Sequence, residues 1–116
     1  MSALSKSAVA KRLETITAKT GAKDIEIAEL LGTTPQTVNR WRNAQVEPKS
    51  EHLRRILDLE YVAEELAEFY EPEEVRLWLL QRHRLLKGRR PVDVIASGDI
   101  DGVLALIAQL RDGAYI

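Results

Sequence analysis

DIEIAELLGTTPQTVNRWRN, residues 24–43, is the stretch whose reading decides the fold. Its apolar periodicity is that of two short helices joined by a tight turn. Ile27, Ala28 and Leu31 recur at the spacing that puts side chains on one helical stripe. Gly32 ends the first helix, because glycine enters the left-handed conformation without a Cβ penalty. Thr33 forms the turn and Thr34 is a good N-cap. Pro35 takes the first helical position, where its missing N–H costs nothing. In the second helix Val38 and Trp41 face inward, and Gln36, Thr37, Asn39, Arg40 and Arg42 remain outside. Ala28 is small so that the second helix can cross close above it.

This is a helix-turn-helix pattern. An ordinary hairpin of a helical bundle shares the apolar spacing, so the outer face has to separate the two. That face carries Arg40, Arg42, Gln36, Asn39 and Thr37, and no acid occurs from Thr33 to Val46. A solvated bundle face mixes Glu with Lys, whereas this one suits phosphate and base edges. Gln36 can present its amide to adenine and Arg40 can fork onto guanine. Thr37, Arg42 and Asn43 suit phosphate, which sets register without reading sequence. The candidate DNA-binding set is therefore Gln36, Thr37, Asn39, Arg40, Arg42 and Asn43.

Outward from the motif, a chain of 116 residues is one domain or two very small ones. An apolar content of 45% with 30% charged residues places it among globular chains with a real core. There is no cysteine, so disulfides and thiolate metal sites are unavailable and a reducing cytosol fits. No signal core or membrane-length apolar run occurs, and a cytoplasmic location is expected. The net charge of −1 is unevenly spread. Residues 51–75 are strongly acidic, and residues 76–90 hold six basic side chains and no acid. Only the positive surfaces are free to meet phosphate.

The first helix is expected from about Ser5 to Lys19, with Val9, Leu13 and Ile16 inward and Gly21 as its breaker. After Pro48, Ser50 is the expected N-cap of a long helix reaching about Tyr70. Its apolar stripe, Leu53 through Leu66 to Tyr70, is wider than one monomeric helix needs. The extra width can cover both halves of the chain or form a dimer surface. Pro72 starts another helix, with Glu73 and Glu74 near its positive end. A basic bend from Arg76 to Arg90 follows, able to touch DNA, a protein partner or the acidic face of the long helix. Pro91 opens a short helix closed by Gly98. Asp99 is expected to cap a last helix with Ile100, Val103, Leu104, Ile107 and Leu110 inward, ended by Gly113. Nothing alternates over a strand length. The expected fold class is all-α, with a helix-turn-helix domain over residues 1–49 and a second helical unit over residues 50–116.

The helix-turn-helix residues Ile27, Ala28, Leu31, Gly32, Val38 and Trp41 resemble the Xre/Cro type. The second half carries Trp78, Arg84-Leu85-Leu86, Gly88, Arg90-Pro91 and Gly98, then Val103-Leu104-Ala105-Leu106-Ile107 and Gly113. In that order these residues resemble the toxin-binding domain of the Xre/MbcA/ParS antitoxins, which neutralise RES-domain toxins. The resemblance implies an antitoxin that dimerises, binds its own operator DNA and blocks an NAD-consuming toxin. It further implies toxin contact through Arg84, Arg89, Arg90, Arg111 and the end of the chain, Gly113, Ala114, Tyr115 and Ile116. In that family the C-terminal end meets the toxin.

His52 and His83 are the only histidines, and neither has metal-ligand spacing. There is no glycine-rich phosphate loop, no Gly-x-Ser-x-Gly turn and no cysteine nucleophile. Glu71, Glu73 and Glu74 beside Pro72 are better explained as a helix start than as catalytic carboxylates. No enzyme, metal or cofactor is expected. The competing class is a plain transcriptional regulator whose C-terminal half only dimerises or senses a ligand.

Overall fold

The computed structural model describes residues 2–113, with side chains from Ala8 onward. Within them run α1 (Ser2–Thr20), α2 (Asp24–Leu31), α3 (Pro35–Arg42), α4 (Ser50–Leu66), α5 (Pro72–Leu80), α6 (Pro91–Ala96) and α7 (Asp101–Arg111). A 3-10 turn at Arg84–Leu86 separates α5 from α6. Among the described residues there is no strand, only an isolated antiparallel bridge between His83 and Arg89. Three of the four prolines stand at helix starts, at α3, α5 and α6, where a fixed φ is already helical. Gly21, Gly32 and Gly113 sit just past helix ends with positive φ.

Helix α4 lies at the centre. Ile56, Leu59, Val62, Ala63 and Leu66 are fully buried on it. Helices α1, α2, α6 and α7 all pack against α4, and α1 also meets α5 while α2 meets α6. The buried side chains join into one hydrophobic cluster, from Leu13 and Ile16 on α1 through Trp41 to Val103 and Ile107 on α7. The wide stripe of α4 is thus used chiefly within the chain, serving partners on both sides. Truncating a fully enclosed residue such as Leu59 to alanine costs about 2–5 kcal/mol, through lost transfer energy and the cavity left behind. What remains outside on α4 is Leu57, 41% exposed, and Tyr61, 52% exposed.

Several expected boundaries shift. Helix α1 starts at Ser2, ahead of Ser5. Lys49, not Ser50, is the N-cap of α4, and its side chain makes no capping bond. Helix α4 stops at Leu66, short of Tyr70: Glu68 and Phe69 donate to carbonyls three residues back and tighten the last turn. Glu71 is then extended, as the residue before a proline prefers. Ile100 rather than Asp99 occupies the N-cap of α7, without a side-chain bond. The N-cap of α3 is as expected, with the Thr37 N–H donating to Thr34 Oγ1 at 3.2 Å.

Candidate functional site

Helix α3 is held from below by Val38 and Trp41, 0% and 2% exposed. Trp41 meets the His52 ring of α4 at 5.3 Å between centroids. That anchoring turns Gln36, Asn39 and Arg40 outward together, since positions 36, 39 and 40 share a helical face. They line a shallow depression of about 450 Å³ with Asp24, Pro35 and Gln45. Asn43 extends this face, its Nδ2 donating to the Asn39 carbonyl and to Asn39 Oδ1, both at 3.1 Å. Thr37 is half-buried, its hydroxyl accepting from Thr34 Oγ1 at 3.0 Å.

Arg42 corrects the outward reading of this helix. Its Nη2 donates to Asp24 Oδ1 at 2.8 Å and to Thr17 Oγ1 at 2.6 Å, and its Nε to Asp24 Oδ1 at 3.0 Å. Position 42 lies one residue past the buried Trp41, which tips its side chain across α2 and α1. Arg42 therefore fastens α3 to the two preceding helices. The turn itself is secured from α4: Arg55 Nη1 donates to the Leu31 carbonyl at 3.3 Å. No local pattern around Gly32 could have named Arg55, which reaches the turn only through the packing of α4.

Pairing with the acidic face of α4 was one of three contacts open to the basic stretch, and its ion pairs run elsewhere. Arg76 forks onto Glu26 of α2 at 3.0 and 2.6 Å. The same carboxylate accepts the Lys23 N–H at 2.9 Å, closing the first turn of α2. The bond from Arg76, with Coulombic help, outweighs the opposing burial and holds the Glu26 carboxyl below its usual pKa. Arg90 binds Asp93 through two bonds of 2.9 Å and reaches Glu29 of α2 at 3.2 Å. Hydrogen bonding by Arg90 likewise lowers the pKa of Asp93 and raises that of Arg90. Two acids of α4 are instead met by Arg12, bonded to Glu60, and by Arg111, bonded to Glu65 and also to Glu68 in the turn after the helix. Complementarity within the chain thus runs mainly from α2 to α5 and α6, because α2 packs beside α6.

The residues expected at a protein interface separate accordingly. Arg90 and Arg111 are engaged with carboxylates, and Arg111 also lies 5.7 Å from the Phe69 ring centroid. Arg84 and Arg89 are exposed on the bend, with Arg89 Nε donating only to the Leu86 carbonyl at 3.0 Å. Gly113 adopts φ 74 past the end of α7 and donates to the Leu110 carbonyl at 3.2 Å. Ala114, Tyr115 and Ile116 lie outside the described residues. Within the described residues, no group of three or more His, Asp or Glu is arranged to hold a metal ion. No helix among them is long and apolar enough to cross a membrane.

No family model matches the chain. The mycobacterial cidal antitoxin MbcA of Mycobacterium tuberculosis is 33% identical to it over 91 residues, 78% of this chain and 80% of that protein. A probable mycobacterial cidal antitoxin of the same organism is 29% identical over 96 residues, covering 83% and 82% of the two chains. Among solved structures, a chain of the crystal structure of the M. tuberculosis MbcT–MbcA toxin–antitoxin complex matches with a TM-score of 0.80 at 30% identity. The match covers 92% of this chain and 96% of that one.

Proposed function

The chain belongs to the MbcA family of antitoxins, and we propose that it inhibits a cognate RES-domain toxin that consumes NAD and binds its own operator DNA. The observation that carries the toxin half is the likeness to a chain of a toxin–antitoxin complex over 92% of the sequence, which includes the second half as well as the first. Residues 50–116 meet the toxin, through Arg84, Arg89, Arg90, Arg111 and the segment from Gly113 to Ile116. The protein acts by binding and not by catalysis.

DNA binding is supported by the face of α3. Gln36, Asn39 and Arg40 are exposed side by side, and Arg40 forms no ion pair with another described residue. Residues 1–49 form a helix-turn-helix unit in which Gln36 and Arg40 read base edges while Thr37 and Asn43 touch phosphate. Arg42 contributes chiefly by orienting α3, through Asp24 and Thr17. The protein works as a homodimer in the cytoplasm, since a single motif has a small footprint and symmetric dimers read paired half-sites. Co-expression with the adjacent reading frame, tagging one protein only, tests the toxin half. The untagged partner is expected to co-purify and to be lethal when expressed alone. A harmless neighbour that fails to co-purify would leave the transcriptional-regulator reading in its place.

A further inference from the structure

We infer that the bend from Arg82 to Arg89 is a protein-docking ridge that presses Leu85 into an apolar hollow on an acidic surface of the toxin. This rests on the antitoxin reading above and assigns part of that contact to a defined surface.

The bend is pinned on one side and bare on the other. Leu86 is 3% exposed and approaches α7 where Gly102 makes room, since a Cβ there would lie 3.3 Å from Leu86 Cδ2. Leu85, its neighbour, is 60% exposed on the opposite side. Backbone bonds close the loop around it: the His83 N–H donates to the Arg89 carbonyl at 3.1 Å and the Gly88 N–H to the His83 carbonyl at 2.9 Å. Arg82 Nη1 adds a bond to the Gly88 carbonyl at 2.9 Å. Lys87 is held at φ 60, a left-handed conformation uncommon outside glycine. A leucine kept in water on so constrained a turn loses little conformational freedom when a partner covers it.

Charge points the same way. Arg82, Arg84, Lys87 and Arg89 are all exposed, and among the described residues none of them forms an ion pair. Where they have hydrogen-bond partners these are carbonyls, which do not neutralise them, and only Arg82 is near enough to a carboxylate, that of Asp93, to feel its charge. Arg76 and Arg90, which bound the bend, are both matched by carboxylates. The unmatched charge is therefore concentrated around Leu85. From the foot of the bend a groove of about 310 Å³ runs past Trp78, His83 and Leu106 to Leu110 in the last turn of α7. One partner can thus cover the ridge, the groove and the end of α7 together.

Nucleic acid fits this surface less well. A phosphate backbone offers Leu85 no apolar counterpart, and the Asp93 and Glu29 carboxylates lie at the edge of the bend beside Arg90.

The test uses the full chain with Leu85→Ala, Leu85→Gln or the double change Arg84→Gln with Lys87→Gln. Each is titrated calorimetrically against the purified product of the adjacent reading frame at low and high salt, and against operator DNA by anisotropy. The Leu85 variants should weaken toxin binding about tenfold or more at both salt concentrations, as for a buried anchor. The double variant should lose about tenfold at low salt and less at high salt, since screening removes its contribution. Operator affinity should not move. Toxin affinity equal to the parent's in every variant would overturn the inference. Loss of operator binding with toxin binding intact would also overturn it, making the bend a DNA contact. If the unmodified parent failed to bind that protein, the antitoxin reading itself would fall, a result distinct from any variant's. Leu85 is exposed and the two cations have no ion-pair partners, so thermal midpoints should match the parent's and separate docking from folding.

Discussion

Gly32→Ala probes the turn that aims α3. Gly32 sits at φ 70, ψ 37, and a residue with a Cβ pays about 1–2 kcal/mol for that left-handed conformation. The new methyl would also lie 2.5 Å from Arg55 Nη1, which must then move. Because the obstacle is the end of a flexible side chain, the guanidinium swings away and no backbone clash results. The displaced Arg55 gives up its bond to the Leu31 carbonyl, worth about 0.5–1 kcal/mol at its length of 3.3 Å. Gly32→Ala should therefore cost about 1.5–3 kcal/mol in the parent background. In an Arg55→Ala background only the backbone part, about 1–2 kcal/mol, should remain. The assay is urea unfolding followed by circular dichroism, with an unchanged m-value as the check on two-state behaviour. The difference between backgrounds isolates the coupling as a double-mutant cycle. A Gly32→Ala protein as stable as the parent would refute the backbone argument. Equal costs in both backgrounds would refute the role given to Arg55.

Arg40→Ala should weaken operator binding by about 1–3 kcal/mol and relax preference at one base position in an anisotropy assay; equal affinity for operator and random DNA before and after would remove Arg40 from readout. Glu26 has a lowered pKa in the folded protein, so its stabilisation is present above its ordinary value near 4.5 and fades as pH falls through the lower folded value. Urea midpoints measured between pH 7 and pH 3 should fall less steeply for Glu26→Gln than for the parent, and parallel slopes would contradict the Arg76 clamp. Deleting residues 113–116 should leave helical content and operator binding nearly intact while weakening growth rescue from the toxin; full rescue would count against the tail as a toxin contact. Light scattering should find a dimer at micromolar concentration, and a monomer with or without DNA would argue against paired half-site reading.

Local rules were enough wherever one residue carries its own geometry. Proline at the first helical position and glycine past a helix end act within a few residues of backbone, so the starts of α3, α5 and α6 and the stops at Gly21, Gly32 and Gly113 were legible. Periodicity likewise identified Leu13, Ile16, Val38, Trp41 and Val103 as inward, because burial follows helical phase. The weaker signals misled: Ser50 and Asp99 have capping side chains, yet Lys49 and Ile100 occupy those positions.

What the sequence could not determine was which charges meet across the core. Residues 76–90 are basic and the outer side of α4 is acidic, so composition offered their pairing as one of three contacts and could not choose among them. Ion pairs form at a few ångströms, and the helices that come that close are chosen by the apolar packing. That packing sets α6 beside α2, giving Arg90 to Glu29 and, from α5, Arg76 to Glu26, and it leaves Arg12 and Arg111 for α4. The same packing turns Arg42 inward and brings Arg55 onto a turn twenty-four residues away in sequence. Helical phase is a property of one segment and can be read from it; contact between distant side chains belongs to the arrangement of segments, and only the tertiary structure supplies it.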